Sequence, residues 1–84
     1  MELEPITIEK LAEILKSQYE GSLKNEQVVN IHLFGVKYGE IIKRYSYSAS
    51  KIIELSGLNK SYKTELSKGI RLSKFVKLKN EYND

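Results

Sequence analysis

A chain of 84 residues with a net charge of +3 and 40% hydrophobic residues has room for one small domain, residues 1–84, whose apolar side chains must nearly all serve the core. The absence of cysteine excludes disulfides, thiolate metal sites and cysteine nucleophiles, and fits a reducing compartment. The longest nearly apolar stretch, Ile31 to Val36, is too short to span a bilayer, and the acidic opening MELEPITIEK lacks the regions of a signal peptide, so a cytoplasmic protein is expected.

The first expected element is an acidic amphipathic helix over about 7–20. Thr7 is its N-cap, Ile8, Leu11, Ala12, Ile14, Leu15 and Tyr19 follow helical spacing, and Gly21 is the stop. A second element starts near Lys24 or Asn25 and runs through EQVVNIHLFGVKYGEIIKRY. As a helix it places Val28, Ile31 and Gly35 on one line and Val29, Leu33 and Val36 on the next. Residues 28–36 also alternate like a strand, but the apolar pattern continues to Ile41 and Ile42, longer than an ordinary strand, which favours helix. Gly35 and Gly39 each weaken that helix by about 1 kcal/mol relative to Ala, and mark either a kink or a close approach of another helix.

Ser48 is placed to cap a third helix whose core face is Ala49, Ile52, Ile53 and Leu55. Gly57 supplies the positive φ that ends it, Leu58 tucks under the turn, and Asn59 or Ser61 caps a fourth helix that stops at Gly69. Leu58, Tyr62, Leu66 and Ile70 repeat every four residues along that helix, a single inward stripe. The tail then offers Ile70, Leu72 and Phe75 or Val76 to the core, and NEYND closes as a short extended segment or one last helical turn. The expected fold class is therefore all-α, a small bundle of four to five helices.

The segment 48–69, SASKIIELSGLNKSYKTELSKG, has the layout of a DNA-reading helix-turn-helix. Charge points the same way. Residues 1–42 hold four Lys and seven Glu, whereas residues 43–84 hold ten Lys or Arg and four acids, so the positive half coincides with the motif. A Lys-rich surface that only aids solubility is the plain alternative for the charge by itself. The outward face of the fourth helix would be Asn59, Lys60, Ser61, Thr64, Glu65 and Lys68. Asn suits adenine, Lys suits guanine or phosphate, and Ser and Thr suit either. Glu65 is repelled by phosphate unless it accepts from cytosine or is neutralised by Lys68. Lys43, Arg44, Tyr47, Lys51, Lys63, Arg71 and Lys74 are placed to contact the DNA backbone.

The frame Ile52-Ile53, Gly57-Leu58, Leu66 and Gly69 resembles the helix-turn-helix of small bacterial and phage proteins in the repressor style. The pairing of GLNKSYKTELSKG with the apolar helix IHLFGVKYGEI also looks like the helix-turn-helix-like modules attached to restriction or nuclease proteins. The resemblance covers about a quarter of the chain firmly and about two thirds loosely. It departs at Lys63, where repressors usually bury a β-branched residue, with Tyr62 taking the anchor. It implies a small transcriptional regulator that reads duplex DNA. A module this small calls for a homodimer or a larger protein partner, with the acidic N-terminal helix as the natural contact. The alternative class is a protein-interaction module, an inhibitor or accessory subunit of a nucleic-acid enzyme that docks through the same basic half; any helical hairpin ending in glycine shares this layout.

Other chemistry is sparse. His32, the only histidine, has no carboxylate, nucleophile or further ligand near it in sequence, so a core-flanking role is expected rather than catalysis or metal binding. Tyr19, Tyr38 and Tyr62 fall at core positions, leaving Tyr45 and Tyr47 as exposed platforms or phosphate contacts, with simple packing as the equal alternative. Glu9, Glu13 and Glu20 form a solvated face. No enzyme, cofactor, metal or small-molecule substrate is implied.

Overall fold

A computed structural model describes residues 6–76 and Leu78, and within them the chain forms four α-helices and two short 3₁₀ turns, with no strand. Helix α1 spans Ile8–Glu20. Thr7 holds extended backbone geometry and its hydroxyl accepts from the Lys10 amide at 3.1 Å, while Gly21 closes the helix. A 3₁₀ turn, Lys24–Glu26, leads into α2, Gln27–Arg44. Residues 28–36 are thus helical, as the long apolar pattern favoured. Ser46, at φ 57°, turns the chain toward α3, Ala49–Ser56. A second 3₁₀ turn, Lys60–Tyr62, precedes α4, Lys63–Leu72.

Nine apolar residues make the core: Leu11, Ala12 and Leu15 from α1, Ile31, Phe34 and Ile42 from α2, Ile52 and Ile53 from α3, and Leu66 from α4. Each large side chain buried this way stabilises the fold by about 1.5–3 kcal/mol. Two expected faces shift. On α2 the core line runs through Ile31, Phe34 and Ile42, and Val28, Val29 and Leu33 remain exposed. Of the C-terminal residues expected in the core, Ile70 packs on it, whereas Leu72, Phe75 and Val76 stay in solvent, as does Leu55 on α3. The closing NEYND, residues 80–84, lies outside the described residues.

The glycines decide how α2 and α4 meet. A Cβ on Gly35 would lie 2.7 Å from the Ile70 amide nitrogen and 2.8 Å from the Gly69 Cα, and a Cβ on Gly39 would meet Ser73. Residue numbers rise together along the contact, so α2 and α4 run parallel, backbone on backbone. The expectation that Gly69 stops the fourth helix is therefore corrected: α4 continues through it to Leu72, and Gly69 is present because a side chain would strike the carbonyl of His32. Of the two roles open to Gly35 and Gly39, close approach is the one observed.

Candidate nucleic-acid interface

The turn between α3 and α4 is assembled from short-range chemistry. Ser48 caps α3 by accepting from the Lys51 amide at 3.2 Å, and Gly57 ends it in the left-handed region at φ 78°. Ser56, buried beside Gly57, donates its hydroxyl to the Ile53 carbonyl at 2.7 Å and accepts from the Leu58 amide at 3.2 Å. That pair of bonds ties the end of α3 to the turn. Asn59 then accepts from the Ser61 amide at 2.9 Å, so the cap expected for the fourth helix serves the 3₁₀ turn instead, and α4 begins after Tyr62 with no side-chain cap.

The back of the second helix is anchored by Leu58, Tyr62, Leu66 and Ile70, all packed on or within the core. Tyr62 does take the anchoring place, while Lys63 is exposed. Its hydroxyl lies 3.1 Å from that of Tyr19 on α1, and the two rings tilt against each other with centroids 5.4 Å apart. The hydrogen bond with Tyr62 is the main cause that raises the Tyr19 pKa above the ordinary tyrosine value, since it favours the protonated phenol.

The expected outward face is split between two elements: the 3₁₀ turn presents Lys60 and Ser61 to solvent, beside Asn59, and α4 presents Thr64 and Lys68. Asn59 commits its side-chain oxygen to the cap and keeps its amide donors free of that bond. Glu65 behaves differently. Its Oε1 is 2.7 Å from His32 Nε2 on α2 and 3.7 Å from Lys68 Nζ, so the carboxylate is drawn toward α2. An ionised carboxylate only accepts, which places the shared proton on Nε2. The His32 hydrogen bond first, and Lys68 second among the favourable contacts, hold the Glu65 pKa below its ordinary value against partial desolvation. Lys68 is thus the lesser of two neutralising partners, and the partner of His32 that the neighbouring sequence lacks sits 33 residues away.

Three of the expected backbone contacts gather in one place. Lys43 from α2, with Arg71 and Lys74, lines an open groove of about 300 Å³ floored by Ser67 and Ile70. Lys63 joins Lys60 in a second groove with Ser50, Ile53 and Glu54. Lys51 lies 3.6 Å from Glu54 on the surface of α3, and Arg44 is exposed at the end of α2. Tyr47 is occupied within the fold instead. Its hydroxyl donates to the Ile6 carbonyl at 2.8 Å, holding the start of α1 to the α2–α3 turn. Tyr45 is exposed beside it, with ring centroids 5.9 Å apart.

Sequence reasoning missed Ser56 and the His32–Glu65 pair. A serine directly before the helix-ending glycine was a readable sign of the first, whereas nothing local signals a contact between α2 and α4.

A family model of HTH-like domains matches residues 7–79. The chain belongs to the HTH-like domain family. In this HTH-like domain the match takes in all four helices, so the family unit is the complete arrangement, in which α1 and α2 support the α3–α4 hairpin. No curated protein and no solved structure matches the HTH-like domain. Among its described residues no helix is long and apolar enough to cross a membrane.

Proposed function

We propose that this HTH-like domain binds double-stranded DNA, seating the start of its last helix in the major groove and acting as a small transcriptional regulator in a bacterial or phage cytoplasm. One observation carries this: the 3₁₀ turn and α4 are anchored from behind by Tyr62 and Leu66 and expose Lys60, Ser61, Thr64 and Lys68, with a groove beside α4 lined by Lys43 of α2, Arg71 and Lys74. Short polar and cationic side chains on a rigid helix suit base edges, and a cationic groove suits phosphate. Base contacts are assigned to Asn59, Lys60, Ser61, Thr64 and Lys68, and Glu65 is held by His32. Backbone contacts fall to Lys43, Arg44, Lys51, Lys63, Arg71 and Lys74, and no catalytic step is assigned.

The test is selection from random duplexes at about 150 mM salt, where nonspecific attraction is largely suppressed. Enrichment of a palindrome is the expected result. If no motif is enriched, the basic half is better explained as the docking face of a protein-interaction module.

A further inference from the structure

A regulator this small needs more contact area than one copy supplies. The sequence pointed to the N-terminal helix as the contact. That helix is already committed: Leu11, Ala12 and Leu15 are fully covered within the core, and what α1 leaves outside is largely charged. Much of the exposed apolar surface lies on α2 and at the end of α4.

On α2, residues 29, 33, 36 and 40 recur at helical spacing on one line. That line carries Val29, 51% exposed, and Leu33, 39% exposed, and ends at Glu40. It lies beyond His32, on the flank of α2 away from Ile31 and Phe34. On α4 and the turn after it, Lys68, Arg71, Leu72 and Phe75 line one open groove, with Leu72 45% and Phe75 77% exposed. This groove lies beyond Glu65, on the flank of α4 away from Leu66 and Ile70. Because Gly35 and Gly69 bring the two helices into backbone contact, the two lines form one two-helix face on the side opposite α1 and α3.

The charges on this face are divided. Glu40 stands on the α2 line and Lys68 and Arg71 rim the α4 groove; Glu40 and Arg71 have no ion-pair partner among the described residues. We propose that this face is a homodimer interface, in which the Val29–Leu33–Glu40 line of each copy covers the Lys68–Arg71–Leu72–Phe75 groove of the other. Charge selects this arrangement among the face-to-face pairings of two copies. A twofold axis lying in the interface along the helices sets α2 of one copy on α4 of the other, so acid meets base twice. An axis across the helices would set α4 on α4 and oppose their cations, which costs free energy. The dimer covers Lys68 and Arg71, which a paired copy therefore withdraws from the DNA contacts assigned above, and leaves Asn59, Lys60 and Ser61, at the 3₁₀ turn, outside the paired helices. It does not depend on DNA binding being correct.

The experiment is sedimentation velocity on the full chain without DNA, over rising concentration. A monomer–dimer equilibrium with a micromolar Kd is expected, and Leu33→Glu should weaken it by at least about tenfold with an unchanged circular dichroism spectrum. Glu40→Arg and Arg71→Glu should each weaken dimerisation by about tenfold, and the double variant should recover it. A chain still monomeric at about 1 mM overturns the proposal, as does a double variant as weak as either single one. Lys60→Ala with Ser61→Ala separates the two ideas, because it should weaken duplex binding and leave the dimer intact.

Discussion

Gly35 and Gly69 touch through their backbones, with 2.8 Å between a Cβ built on Gly35 and the Cα of Gly69. Neither position tolerates a methyl group, because the atoms it would strike belong to the backbone of the opposite helix. Gly35→Ala and Gly69→Ala should each destabilise the fold by roughly 1–3 kcal/mol through overpacking, although alanine favours an isolated helix by about 1 kcal/mol. Urea unfolding measures the net effect. A raised midpoint for both variants would show that helix propensity, and not close approach, governs these sites.

Leu66 is the one fully buried side chain that α4 contributes to the core. Leu66→Ala should cost about 2–5 kcal/mol, the range for a leucine removed from a packed interior. Calorimetry should show a large drop in Tm. A shift of only a few degrees would mean that α4 is held mainly through its glycine contact with α2.

The pairing of Glu65 with His32 makes a pH prediction with a definite sign. The folded-state pKa of Glu65 is lowered, so its contribution to stability is complete above the ordinary carboxylate value and is lost as pH falls through the lowered one. The stability gap between the native chain and Glu65→Gln should therefore be constant near neutrality and shrink below about pH 4.5. Melting curves of both proteins across that range cancel the other carboxylates. A gap that widens toward acid would reverse the assigned sign.

Two groups of cations should respond differently to mutation. Lys60→Ala with Thr64→Ala should flatten discrimination among duplex sequences, each lost base contact costing about 1–3 kcal/mol against the preferred site. Lys43→Ala with Lys74→Ala should weaken all duplexes alike and lower the salt slope by about 2. Titrations against preferred and scrambled duplexes at several salt concentrations distinguish the two patterns. Identical behaviour of the two variants would count against division of the surface into base and phosphate contacts.

Tyr47 separates a structural from a phosphate-binding role. Its hydroxyl is bonded to the Ile6 carbonyl, so Tyr47→Phe should destabilise the fold by about 0.5–1.5 kcal/mol and leave duplex affinity unchanged. Affinity loss with full stability would return Tyr47 to the DNA backbone contacts.

Local chemistry was legible in the sequence wherever cause and effect lie within one turn of chain. The Thr7 and Ser48 caps, the left-handed Gly57, the Asn59 cap and the Leu58–Tyr62–Leu66–Ile70 stripe follow from side chains that bond or pack a few residues away. The all-α class and the polar outer face of the last helix follow from the same periodicity. Tertiary structure alone decided that Gly35, Gly39 and Gly69 are points of contact, that His32 holds Glu65, that Tyr47 secures Ile6, and that Val29, Leu33, Leu72 and Phe75 remain outside. The physical reason is that helical periodicity determines which residues share a face, but an apolar face or a glycine is compatible with several neighbours. Only the parallel approach of α2 and α4 selects among them, through sterics that act between residues more than thirty positions apart in the chain.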